Sequence, residues 1–155
     1  MTDQNQEQAT IEEWVQKNSK SLADYLFAQS VLTRDIKISC VWIVPHKIMV
    51  AQAWAEKNPD DRYWLITGGA IGLMGHAEAK LAAGPREALR HFALKWQMQG
   101  ERLRTADRRE FDAKTQNRLA DVDMSTIGDS LAEKAEYLYA LAENDVNWKS
   151  ANESQ

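Results

Sequence analysis

With one cysteine in 155 residues, this chain can form no intramolecular disulfide and no cysteine-based zinc site. Cys40 sits inside the apolar run KISCVWIV, where a lone thiol is expected to be buried as a small hydrophobe. The three histidines, His46, His76 and His91, have no tight spacing, so no metal site is expected. No apolar run approaches the roughly 18 residues that a membrane-spanning helix needs. The opening MTDQNQEQAT is polar and acidic, without the basic start or apolar stretch of a secretory signal. Together these absences predict a soluble protein of a reducing cytoplasm.

Positive charge is also short. Nineteen Lys and Arg stand against twenty-three Asp and Glu, for a net charge of −4. A general nucleic-acid binder needs a positive footprint, so that class is disfavoured. The charge is unevenly placed. Residues 86–118 carry nine basic against five acidic residues, and residues 119–155 carry two against eight. The two segments are expected to lie near each other and partly neutralise.

What the chain does have is ordinary globular composition, with 44% hydrophobic and 27% charged residues. Its length suits a single domain, read here as residues 10–148 between flexible tails at 1–9 and 149–155. Six tryptophans, at 14, 42, 54, 64, 96 and 148, are many for this length. They are read first as core and core-edge residues. A base- or sugar-stacking surface would need several of them exposed together.

Hydrophobic spacing supplies the elements. Thr10 with Glu13 forms a capping box, and Ile11, Trp14, Val15, Leu22, Tyr25 and Leu26 recur at helical spacing over 11–29. Residues 37–44 are β-branched and aromatic and end at Pro45, which predicts a strand. Residues 47–56 read as a second strand, weakened by alanines, and 62–67 as a third. NPDD at 58–61 supplies the turn between those two. Pro85 opens a long helix with Ala88, Leu89, Phe92, Trp96 and Leu103 on one face. Gly100 is a weak spot within it. The stretch 105–124 is nearly all polar, and spacing leaves it between a continued helix and a loop. Thr126 with Asp129 caps a final helix ending near Asn144. The order gives an α+β fold: a small antiparallel sheet of about three strands, an N-terminal helix and two C-terminal helices.

Five of the seven glycines fall within 68–84, just after the third strand. The question is whether this loop holds a ligand. The spacing G-G-x-x-G-x-x-G matches neither the phosphate loop, which needs Lys then Ser or Thr, nor the dinucleotide fingerprint G-x-G-x-x-G. His76-Ala77-Glu78 has the H-x-E of zinc deaminases but lacks their downstream cysteine pair. There is no G-x-S-x-G elbow. Ile71, Leu73 and Met74 are apolar, so the first reading is a turn or lid folded over the core. The second is a ligand-contacting loop in which Gly68, Gly69 and His76 work with Arg86, Arg90 and His91 as an anion site.

The segments VPHKIMVAQAWA, RYWLITG, REALRHFALKWQMQGERL and AEKAEYLYALAENDVNW, in this order, resemble a bacterial family, domain of unknown function 4826. The resemblance covers roughly residues 11–104 and 130–148, and REALRHFALKWQ at 86–97 is its most specific piece. It implies a compact, stand-alone bacterial protein. It implies no activity and transfers no functional residue. In that family an acidic residue often follows the glycine after the third strand. Gly69 holds that position here, so a role tied to such a carboxylate does not carry over. The segment 105–125 is similar to a variable region.

Two functions follow as expectations. With no complete catalytic constellation and no implied cofactor, the first is a small non-enzymatic binding module with a protein partner or a second copy of itself, its aromatics anchoring an interface. The second is a small-ligand or phosphate-binding protein, an enzyme among its forms, built on the 68–76 loop.

Overall fold

The computed structural model describes residues 2–105 and 124–148. The chain divides into two units, Met1–Ala88 and Leu89–Gln155.

The first unit opens with α1, Thr2–Ala28. The helix starts at Thr2 rather than at the Thr10 capping box. The intervening residues are mostly Gln and Glu, good helix formers. Thr10 is therefore mid-helix, and its hydroxyl donates to the Gln6 carbonyl at 2.7 Å instead of capping. At the other end, Val31 N–H donates to the Leu26 carbonyl and Ser30 N–H to that of Phe27. This is a Schellman termination, with Ser30 at φ 58° in the place usually held by glycine.

Four strands follow as an antiparallel meander in the order β1-β2-β3-β4. They are β1 (Ile36–Val44), β2 (Ile48–Ala55), β3 (Asn58–Thr67) and β4 (Gly75–Glu78). The sheet has four strands where the sequence suggested about three. The added β4 lies inside the glycine-rich segment read as irregular. GHAE has little strand propensity of its own. It is a strand because it pairs with β3, Leu65 opposite His76 and Tyr63 opposite Glu78.

The NPDD turn is also corrected. Ala55 pairs with Asn58, so the chain reverses at Glu56-Lys57, and NPDD belongs to the start of β3. β4 reaches only Tyr63 to Ile66, which leaves Pro59 unpartnered on that side, where its missing N–H is not needed.

β1 carries a bulge. Cys40 faces Ala51 but Trp42 faces Val50, so Val41 is an extra residue. The extra residue reverses the alternation along the strand. Ile36 and Ile38 before it, and Ile43 after it, consequently reach the same core. Cys40, beside the bulge, is exposed, contrary to the burial expected from its apolar neighbours.

That core sets Leu22 and Leu26 of α1 against Met49, Ala51, Ala53 and Leu65, all fully buried. The alanines that weakened the strand reading of β2 lie under the helix, where small side chains allow close approach. On the opposite face of the sheet, Ile48, Val50, Trp64 and Ile66 are buried. Trp64 Nε1 donates to the Ala82 carbonyl at 2.9 Å, fastening the 3₁₀ turn Ala79–Leu81 and the residue after it to β3. No tryptophan with described burial is exposed. Trp64 and Trp96 are buried, and the other four are half-buried, as core and core-edge residues should be.

α2, Pro85–Thr105, starts at the end of the first unit and runs through the second. The Ala83 N–H donates to a Glu87 carboxylate oxygen at 2.9 Å, so Glu87 caps the helix start. Within the second unit α2 is antiparallel to α3, Met124–Glu143. Arg90 Nε meets a Glu143 oxygen at 2.8 Å, and Arg104 Nε meets an Asp129 oxygen at 2.9 Å. Among the described residues the basic and acidic segments meet at these two ion pairs, in line with the partial neutralisation their charges suggested. Gly100 and Gly128 face each other across the two helices. A Cβ on Gly100 would lie 2.7 Å from the Gly128 carbonyl oxygen, and one on Gly128 would lie 2.6 Å from that of Gly100. The weak spot in α2 is thus the point where the two backbones touch. α3 begins at Met124, before the Thr126 cap expected for it. Past its end, Asn147 Nδ2 and Trp148 Nε1 donate to the Leu141 carbonyl at 2.9 and 3.1 Å. These bonds satisfy a carbonyl that the helix end would otherwise leave open. Of the 105–124 stretch only its two end residues are described. Thr105 closes α2 and Met124 opens α3. Among the described residues no helix is long and apolar enough to cross a membrane.

Candidate functional site

The glycine loop is held from its first residue. β3 ends at Thr67 opposite Met49, the second residue of β2, so the next residue, Gly68, falls beside Ile48 and the β1–β2 turn. That turn is closed by Lys47 N–H donating to the Val44 carbonyl, with Pro45 and His46 at its centre. His46 takes φ 64°, and the Trp14 ring packs on it at 5.8 Å. Gly68 has φ 148°. A Cβ there would lie 2.8 Å from Ile48 Cα and closer still to the Lys47 carbonyl oxygen. Only glycine fits both the angle and the space.

The amides beyond it are already used. Ala70 N–H donates to the Lys47 carbonyl at 3.2 Å. Ile71 and Gly72 N–H both donate to the Gly68 carbonyl, at 3.2 and 2.9 Å. A phosphate cradle needs such N–H groups free and convergent. Ile71 is 1% exposed, so the turn also plugs apolar surface. Gly69 is exposed, and a Cβ on it would meet nothing nearer than the His46 carbonyl at 3.9 Å.

The other four candidates lie on β4 and α2. His76, half-buried on β4, lies opposite Leu65, which is three positions before Gly68. Its Nδ1 is 2.7 Å from the Tyr25 hydroxyl, and the two rings are 5.6 Å apart. This bond ties α1 to the sheet. Burial raises the Tyr25 phenol above its ordinary pKa, so the tyrosine stays protonated at neutral pH. Arg86 is half-buried in the first turn of α2, and Glu87 beside it already occupies the positive end of that helix. Arg90 and His91 belong to the second unit. Arg90 is engaged by Glu143. His91 stands edge-on to Phe92 at 5.9 Å. Burial lowers its pKa, and the charge of Lys95 lowers it further, which keeps the imidazole neutral.

Two features were missed by sequence reasoning. One is a groove of about 220 Å³ lined by Asp60, Asp61, Arg62, Glu78, Ala79 and Lys80. Pairing of β4 with β3 assembles it, and a strand of four residues gave little signal. Its cations are occupied. Lys80 meets Glu78 at 3.0 Å. Arg62 donates to the Pro59 carbonyl at 2.8 Å and to Gln52 Oε1 at 3.2 Å, and lies 4.1 Å from the Trp54 ring centre. The Tyr63 phenol is raised by burial first, then by the negative charges of Asp61 and Glu78. Among the described residues no three His, Cys, Asp or Glu side chains could hold a metal ion together.

The other feature is the outer edge of the sheet, where among the described residues β1 pairs with a strand on one side only. β1 is a terminal strand of nine residues, and Lys37, Ser39, Cys40 and Val41 along it are exposed. The opposite edge, β4, is only four residues long. The Cys40 thiol is raised above its ordinary pKa by partial burial, offset in part by a hydrogen bond from the Trp42 backbone. It is therefore accessible but not an activated nucleophile.

No curated protein and no solved structure matches this chain. The family model described as Domain of unknown function (DUF4826) matches residues 7–148, nearly the whole of it, and the chain belongs to that family.

Proposed function

We propose that this chain is a small non-enzymatic interaction module of the bacterial cytoplasm that receives an extended segment of a protein partner along the outer edge of β1. The supporting observation is that the longer of the two sheet edges is a nine-residue strand that pairs on one side only among the described residues, with Lys37, Ser39, Cys40 and Val41 exposed along it. An edge strand offers a row of N–H and C=O groups that a second extended chain completes, with alternate side chains supplying specificity. Lys37 and the bulge at Val41 discourage indiscriminate pairing, so a partner must match an interrupted ladder rather than a flat one. The alternative, a ligand site on the 68–76 loop with Arg86, Arg90 and His91, asks for groups that are already engaged. The amides of residues 70–72 and the Arg90 guanidinium have partners within the fold.

Cys40 is the only cysteine and lies on the proposed edge, so it can carry a photoreactive maleimide without further engineering. Labelling runs on the alkaline side because the thiol is raised. Illumination in a lysate of the source cells should give one dominant adduct. The adduct should vanish when the label is moved to exposed α1 by Cys40→Ser with Lys20→Cys. Equal adducts from both positions, or none from Cys40, would remove the β1 edge as the binding surface. An adduct of twice the chain mass would identify the partner as a second copy. A thermal-shift screen against nucleotides, phosphorylated metabolites, sugars and divalent metals tests the alternative. A ligand at 100 times its dissociation constant adds about 2.7 kcal/mol.

A further inference from the structure

We draw no further inference here: the strongest candidate, the groove between β3 and β4 lined by Asp60, Asp61, Arg62, Glu78, Ala79 and Lys80, is a carboxylate cluster whose two cations are already held by Glu78, Pro59 and Gln52, and no second feature of the structure points to a ligand there.

Discussion

Replacing Gly68 by alanine separates a structural loop from a binding loop, and Gly69 is its internal control. The new Cβ would meet Lys47 and Ile48 backbone atoms, at 2.8 Å or less. No rotamer change relieves a backbone overlap, so the β1–β2 turn must move away from the end of β3. That movement stretches the bond from Ala70 N–H to the Lys47 carbonyl, which is already 3.2 Å long. The φ of 148° adds strain of roughly 1–3 kcal/mol for a residue with a side chain. Overpacking against unyielding atoms adds about 1–3 kcal/mol. Reduced freedom of the unfolded chain returns roughly 0.4–1 kcal/mol. The net expectation for Gly68→Ala is a loss of about 2–4 kcal/mol. For a chain of this size that corresponds to a melting temperature lower by roughly 6–12 °C. Gly69→Ala has open space and no positive φ, so it should stay within about 0.5 kcal/mol of the parent. Urea unfolding of the three proteins side by side measures both. If Gly68→Ala were as stable as Gly69→Ala, the close approach would be wrong, and the glycine would need a role in binding instead.

Gly100→Ala should destabilise by about 1–2 kcal/mol despite improving helix propensity by roughly 1 kcal/mol, because its Cβ would meet the Gly128 carbonyl. A rise in the denaturation midpoint would refute the close crossing. Tyr25→Phe removes the hydroxyl on His76 Nδ1 and should cost about 0.5–1.5 kcal/mol. An unchanged midpoint, with no change in the His76 ring resonances by NMR, would rule that bond out. The folded pKa of His91 is lowered, so in the window below its ordinary value the unfolded chain binds more protons than the folded one. Stability from this residue is therefore full above the ordinary histidine pKa and is lost as pH falls through it. His91→Gln should flatten that part of the pH–stability curve, and a parallel curve would refute the assignment.

The candidate site was less legible in the sequence than the fold. The glycines around 68 signalled a special backbone position, but conformational freedom can serve a ligand or a tight packing contact equally. Only the register of β3 against β2 shows that Gly68 meets the Lys47 carbonyl. Arg86, Arg90 and His91 share one helix start in the sequence. In the fold, Arg90 turns to Glu143, which lies 53 residues away. The place of β1 at the edge of the sheet was invisible, because strand order is decided by which strands pair and not by the residues of any one strand.

By itself the sequence determined the α+β class, the helix beginning at Pro85, the strands read at 37–44 and 47–56, and the proximity of the basic and acidic helices. Each is a local property written in side-chain spacing, helix-capping chemistry or charge. The tertiary structure decided the fourth strand, because GHAE has too little propensity to form a strand without β3 beside it. It decided the bulge beside Cys40, because an extra residue is defined only against the partner strand. It also decided the meaning of Gly68, Gly100 and Gly128. At each the missing side chain matters only because a backbone from elsewhere in the chain passes within contact distance.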